Sequence, residues 1–296
     1  MARRHGDVSI PLETFWYLDR AMSASEPLVL KPASGWQALN LRDVWRYREL
    51  LLFFVWRDIK VRYKQTVLGV MWVLIRPVLS VLMFSVVFGR LAKLPSEGIP
   101  YPLFVLAAMI PWNFFAGAVG AASMSLVGNS QLITKVYFPR LVIPIATVLT
   151  NLFDMAVSFL LLGALMAWYG FVPGAAAIIT VPAIFLLTAL IALAISLWLG
   201  ALNVTYRDVG NTIPFLLQIW MYATPVVYAL TLIPVRWRWL ASLNPMTGIV
   251  EACRSFLLGT PLDGRSLLVS VVLGSFTLFG GLFYFRRAER TFADTV

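Results

Sequence analysis

The sequence predicts an all-α membrane protein with six transmembrane helices, preceded by an amphipathic interface helix. Three observations support this fold class: 60% of the 296 residues are hydrophobic, only 13% are charged, and the mean hydropathy is +0.81. A soluble domain is typically about 45–50% apolar and about 25% charged. The long apolar runs each approach the roughly 20 residues that a helix needs to cross a bilayer.

Four segments are expected along the chain. Residues 1–40 form a cytoplasmic N-terminal tail, because Arg3 and Arg4 are not followed by an apolar run with a cleavage site. Residues 41–65 form the interface helix, residues 66–287 the six-span transmembrane domain, and residues 288–296 a cytoplasmic C-terminal tail.

The interface helix is predicted from its periodicity. At helical spacing, apolar side chains gather on one broad side of residues 41–65 and most charged ones on the other. A basic amphipathic helix with tryptophan at its margin lies in the plane of the membrane interface. An ordinary juxtamembrane helix, which only attaches the chain to the membrane, is the alternative.

The six spans are expected near residues 67–88, 103–127, 141–168, 175–199, 213–232 and 267–285. Pro77 lies inside the first and predicts a kink there, and Pro214 and Pro225 interrupt the fifth. Residues 233–265 contain apolar stretches that are too short to span, so we expect short re-entrant helices before the last span. A plain external loop with one surface helix is the alternative.

The basic residues predict the orientation. Of the 24 Lys and Arg residues, 17 fall on the side of the two termini and six on the other, which places both termini in the cytoplasm. The net charge of +10 therefore reflects orientation and attraction to anionic lipid, and no nucleic-acid partner is expected.

The turn at residues 129–140 stands out between two long apolar segments. It is polar, basic and broken by proline, and such a backbone cannot lie in hydrocarbon. We interpret it as a membrane boundary where another protein pushes on the chain.

Sequence motifs for several kinds of catalysis and metal binding are absent. One Cys excludes an intramolecular disulfide, one Cys with one His disfavours a zinc site, and no P-loop motif is present for binding ATP. No hydrolase motif or dense carboxylate cluster occurs, so neither a catalytic residue nor a metal site is expected. Within the spans, Arg76 and Asp154 are the clear ionisable residues, which is thin support for an ion-coupled transporter.

Three separated motifs resemble one family. They are LGVMWVLIRP at 68–77 after the basic RDIKVRYKQT, IPWNFF at 110–115 with LITKVYFPR at 132–140, and NPMTGIVEACR at 244–254. Together they resemble the membrane subunit of type-2 ABC polysaccharide exporters, over about residues 41–287. The resemblance implies a homodimer in the cytoplasmic (inner) membrane with two separate ABC ATPase subunits, which carry the ATP and magnesium. It also implies a polyprenyl-diphosphate-linked glycan as substrate, with the O-antigen of lipopolysaccharide as the leading candidate.

The family resemblance also suggests site residues. The ATPase-coupling loop would comprise Lys135, Tyr137, Phe138, Pro139 and Arg140, with the Phe138 ring seated in a cleft of the ATPase. The diphosphate lipid would meet Arg57, Lys60, Arg62 and Lys64 on the interface helix, although these charges equally suit anionic lipid. The channel lining would include Trp112, Phe115, Trp220 and Tyr222, although aromatic belts at the membrane surface are the alternative. An outer gate would include Asn244, Pro245, Glu251 and Arg254.

Other functions stay open at this point. A type-2 ABC permease for another lipid or for a drug would share most of these features. An ATP-independent secondary transporter or a polyprenyl-linked glycosyltransferase is disfavoured by the sparse intramembrane charge and the missing acidic motif.

Overall fold

The computed structural model describes residues 41–64, 71–289 and 292, and every regular element within these ranges is helical. The helices are α1 (Leu41–Arg46), α2 (Arg48–Lys64), α3 (Met71–Phe84, continued by a π-helix over Ser85–Leu91), α4 (Tyr101–Gly128), α5 (Ser130–Lys135), α6 (Val142–Tyr169), α7 (Ala177–Thr205), α8 (Asp208–Ala223), a 3₁₀ turn (Leu230–Leu232), α9 (Val235–Ser242), α10 (Pro245–Leu258) and α11 (Gly264–Glu289). The predicted all-α membrane fold is confirmed. The predicted tail at 1–40 and most of the chain after 289 lie outside the described residues.

Five helices in the described ranges are long and apolar enough to cross a membrane. They are Met71–Leu91, Tyr101–Gly128, Val142–Tyr169, Ala177–Thr205 and Gly264–Glu289. A helix satisfies its backbone hydrogen bonds internally, as hydrocarbon requires. These five correspond to the first four predicted spans and to the sixth.

The predicted fifth span has a different structure. Its helix, α8, has 16 residues and ends at Ala223, and Thr224 is extended with φ −96° and ψ 139°. At 1.5 Å per residue, α8 is about 24 Å long, which is less than the roughly 30 Å hydrocarbon core. Pro225 disfavours a helical conformation at the residue before it, and this explains the break. The sixth crossing therefore stays a prediction.

Two short helices follow this break, in the segment where re-entrant helices were expected. α9 has eight residues and α10 has 14, so neither is long enough to cross a bilayer. α10 is buried from Met246 to Arg254 and packs against α4, α7 and α11. Gly248 permits this packing, because a Cβ there would lie 2.3 Å from the carbonyl oxygen of Ser266. A single surface helix does not describe this region.

The second long helix, α4, lies at the centre of the fold. It packs against α6, α7 and α10, and its buried face contains small residues that permit close approach of neighbouring helices. The interface helix α2 packs along α6. This contact places the predicted coupling loop, the interface helix and the third span next to one another.

Candidate functional site

The predicted coupling loop is fastened to the interface helix by Phe138. This side chain is only 6% exposed, and its ring meets that of Phe54 edge-on with centroids 5.9 Å apart. Leu141, Phe285 and Phe292 belong to the same buried apolar cluster. In this conformation the Phe138 ring fills a site within the chain, and its insertion into an ATPase stays a prediction.

Arg140 attaches the same loop to the end of α11. Its backbone N–H donates to Glu289 Oε1 at 3.1 Å, and its guanidinium donates to the Glu289 carbonyl oxygen. The guanidinium carbon also lies 5.8 Å from the centroid of the Phe292 ring. Arg140 is thus used inside the chain, where it ties the coupling loop to the end of α11.

The outward-facing part of the loop is its tip, Lys135–Val136–Tyr137. All three side chains are exposed, and Tyr137 reaches 78% exposure. Pro139 is half-buried, and its carbonyl accepts the Val142 N–H at 3.0 Å where α6 begins. The tip therefore presents one aromatic ring and one cation to its surroundings. The rest of the loop is attached to α2 through Phe138 and to α11 through Arg140.

The basic residues of the interface helix divide into two groups. Arg57 pairs with Asp58 at 2.8 Å and donates to Asn129 Oδ1 at 3.1 Å, so it touches the residue where the coupling loop begins. Lys60 and Lys64 are exposed. Arg62 points instead toward α6, and the structure therefore does not bring the four predicted cations together at one place.

Arg62 lies at a cleft of about 860 Å³ between α2, α3, α4 and α6. Its Nη1 is 2.7 Å from Asp154 Oδ2 and 3.4 Å from Asn151 Oδ1, and the Tyr63 hydroxyl donates to the other oxygen of Asp154. Burial, followed by this hydrogen bond, raises the pKa of Tyr63 to about 12, so the hydroxyl remains a neutral donor. Asp154 is thus a polar contact between α2 and α6.

Arg76 lines the same cleft from α3. Its guanidinium carbon lies 5.9 Å from the Trp72 ring centroid, and within the described ranges no carboxylate lies within salt-bridge distance of it. The sequence marked Arg76 as an intramembrane charge but gave it no role.

The predicted outer-gate residues lie in two hydrogen-bonded groups around the break after α8, and Asn244 is the centre of the first. Asn244 Oδ1 accepts from Trp220 Nε1 at 2.9 Å and from the Met246 N–H at 3.0 Å, while its amide nitrogen donates to Thr224 Oγ1 at 2.8 Å. Pro245 is the first residue of α10. The sequence did not identify Thr224, which carries no motif of its own.

Arg254 on α10 is the centre of the second group and is fully buried. Its guanidinium donates to Glu251 Oε1 at 2.9 Å, to the Val226 carbonyl at 2.6 Å and to the Phe104 carbonyl at 3.2 Å. It also lies 3.6 Å from the centroid of the Phe104 ring. A buried charge needs such partners to offset its desolvation, and these join α10 to α4 and to the broken segment.

The predicted channel aromatics occupy two environments. Trp112 and Phe115 are 3% and 0% exposed, with ring centroids 5.5 Å apart, and Phe115 lies 5.2 Å from Trp220. Tyr222 is 50% exposed. In this conformation the first two pack inside the chain, and the lining role of the set stays a prediction.

The described part of the chain contains no group of three His, Cys, Asp or Glu residues placed to hold a metal ion. Comparison with known proteins gives a direct match: residues 49–258 fit the family of ABC-2 type transporters. The chain belongs to this family. In such systems the membrane protein is a transport permease, not an enzyme, and ATP is hydrolysed by a separate subunit.

Individual relatives cover nearly the whole permease. An O-antigen export system permease protein RfbA from Myxococcus xanthus is 30% identical over 261 residues, which are 86% of this chain and 98% of that protein. An RfbA from Klebsiella pneumoniae is 26% identical over 246 residues, covering 83% and 94%. The polysialic acid transport protein KpsM from Escherichia coli is 26% identical over 243 residues, covering 79% and 91%. The five apolar helices and these relatives support a multi-pass protein of the inner membrane.

Proposed function

We propose that this permease moves a polyprenyl-diphosphate-linked polysaccharide, with O-antigen as the first candidate, out across the cytoplasmic membrane. It acts as a homodimer with two ABC ATPase subunits, which supply ATP and magnesium, and both of its termini face the cytoplasm. The names of the relatives with the highest coverage support the substrate class. The exposed tip Lys135–Val136–Tyr137 supports the docking of an ATPase.

The proposed coupling step follows from how the tip is held. ATP binding closes the ATPase subunits and displaces the tip. The Phe54–Phe138 contact passes this displacement to the interface helix, and the Arg140–Glu289 contact passes it to α11. Because packed interiors deform little, the tip and these two elements move together as one body.

Tyr137 takes the docking role that the sequence suggested for Phe138. Exposed aromatic residues that fill a partner's pocket dominate many interfaces, and truncating one typically costs about 2 kcal/mol or more. At about 1.4 kcal/mol per factor of ten, Tyr137→Ala should weaken ATPase binding about 30-fold. Lys135 beside it is exposed and suits an acidic rim on the ATPase.

The experiment is co-purification of the tagged permease with its co-expressed ATPase in detergent, followed by an ATPase assay. A stable complex of two permease and two ATPase subunits that hydrolyses ATP is expected. Tyr169→Ala is the matched control, because Tyr169 is an exposed tyrosine at the far end of α6. Equal capture of the ATPase by Tyr137→Ala and Tyr169→Ala would contradict the docking site, and a permease that never captures the ATPase would contradict the whole proposal.

The glycan requires a separate measurement, because one relative is named for polysialic acid transport. Expression in a strain that lacks its own O-antigen permease, with the matching ATPase, should restore O-antigen at the cell surface. Failure there, together with restored surface polysialic acid in the corresponding capsule strain, would reassign the substrate.

A further inference from the structure

The cleft between α2, α3, α4 and α6 is lined by two arginines that come from different predicted segments. Arg62 comes from the end of the interface helix and Arg76 from the first span. Polar side chains from three helices share the lining: Ser80, Asn113, Asn151 and Ser158. At about 860 Å³ the space falls within the range of small-ligand sites.

Arg76 is the first reason to expect an anionic ligand there. An arginine within an apolar span is costly and is normally paired with another side chain or with a functional ligand. Among the described residues Arg76 has no carboxylate partner, and its guanidinium lies beside the Trp72 ring. Its planar guanidinium offers several donors that match a phosphate group.

Arg62 is the second reason, because its partner can be exchanged. Asp154 now accepts its charge at 2.7 Å, in an environment where both side chains are about one third exposed. Asp154 would keep a hydrogen bond from Tyr63 if Arg62 turned away. A phosphate in the cleft would therefore compete with Asp154 for Arg62. Asp154 could release Arg62 and still accept the hydrogen bond from Tyr63.

The remaining lining identifies the ligand as a lipid. Apolar side chains from α3, α4 and α6 extend the cleft along the spans: Trp72, Val73, Leu79, Ile110, Phe114 and Met155. We infer that the cleft binds the diphosphate headgroup of a polyprenyl lipid between Arg62 and Arg76, with Asp154 holding Arg62 until the headgroup arrives. This assignment rests on the proposed function, and it moves the headgroup from the exposed face of α2 into the cleft.

The test is binding of radiolabelled farnesyl diphosphate to the purified permease–ATPase complex in detergent, measured by equilibrium dialysis. Arg76→Gln and Arg62→Gln should each weaken binding at least about tenfold, which is the loss expected for one charge-assisted contact. Arg90→Gln is the matched control, since Arg90 is an exposed arginine at the other end of the same helical segment. Asp154→Asn should tighten binding several-fold, whereas a merely structural role for Asp154 predicts weaker binding.

A second measurement leaves both arginines in place. Ser80→Cys places a thiol in the cleft, and the single native cysteine, Cys253, is buried. Farnesyl diphosphate should slow modification of this thiol by a methanethiosulfonate reagent. Inorganic diphosphate at the same concentration should slow it much less, because it lacks the apolar tail.

The outcomes separate this inference from the proposed function. Unprotected Ser80→Cys, or equal binding by Arg76→Gln and Arg90→Gln, overturns the cleft site even when the complex assembles and hydrolyses ATP. Equal protection by inorganic diphosphate overturns the lipid assignment. Failure of the complex to assemble counts against the proposed function, and the Ser80→Cys test on the permease alone then still decides the cleft site.

Discussion

Replacing Arg254 with methionine gives the sharpest test of the hydrogen-bonded group around this residue. The change removes a guanidinium that is fully buried and that donates to one carboxylate and three carbonyl groups, at Phe104, Val226 and Tyr228. It leaves Glu251 as a buried acid without its partner. Breaking a buried pair from one side typically costs about 3–5 kcal/mol.

This loss of stability should lower the temperature at which the permease unfolds. For chains of about 150–250 residues, 1 kcal/mol shifts the unfolding midpoint by about 2–4 °C, so Arg254→Met should lower the apparent midpoint by about 6–20 °C. Glu251→Gln keeps a carbonyl oxygen for Arg254 and should cost about 1.5–3 kcal/mol. The double variant should cost less than the sum of the two single ones, because the second change removes the stranded group.

The assay is a heating series on the detergent-purified permease, with the monodisperse fraction measured by fluorescence-detected size-exclusion chromatography. Arg265→Met is the matched control, since Arg265 is exposed at the start of α11. A midpoint for Arg254→Met within about 2 °C of that control would refute the reasoning. Strict additivity in the double variant would show that the two residues do not act as a pair.

Three further changes test other contacts. Phe138→Ala should lower export and coupled ATPase activity while the protein stays in the membrane, because the loop loses its contact with the interface helix; unchanged export from a normally assembled complex would contradict this. Gly248→Val should destabilise the permease by several °C in the heating series, because its Cβ would overlap the Ser266 carbonyl, and a wild-type midpoint would count against the close packing of α10. Tyr63→Phe should lower the midpoint slightly, because Asp154 loses the hydrogen bond that the Tyr63 hydroxyl donates. Since the pKa of Tyr63 is raised to about 12, ionisation of Tyr63 should add no pH dependence between pH 6 and 9. The stabilisation from this hydrogen bond should be lost only as pH rises from about 10 through 12.

The sequence was a good guide to the helices and a poor guide to which side chains meet. Runs of about 20 apolar residues can satisfy their backbone only as helices in lipid, so the class and five of the crossings follow from composition alone. The interruption at Pro225 could also be predicted, because proline disfavours a helical conformation at the residue before it. These are local effects, and local effects leave a mark in the sequence.

Contacts across the fold leave no such mark. Nothing near Arg140 points to Glu289, which lies 149 residues away, and nothing near Arg254 points to the Phe104 carbonyl. The contact between Phe138 and Phe54 was missed for the same reason, because an aromatic residue in a basic loop gives no sign of whether its ring faces a partner or the chain's own interior. The cleft likewise depends on four helices, so Arg62 and Arg76 could be recognised as charges but not as neighbours.

The fastening of the coupling loop has a consequence for assembly. The tip rests on α2 through Phe138 and on the end of α11 through Arg140, so its base combines an early part of the chain, the middle and the last long helix. A chain still being inserted lacks α11 and therefore lacks half of this support. If the ATPase docks on the tip as proposed, it meets a finished surface only after the last helix is in place, and partner recognition then also serves as a checkpoint on the completeness of membrane insertion.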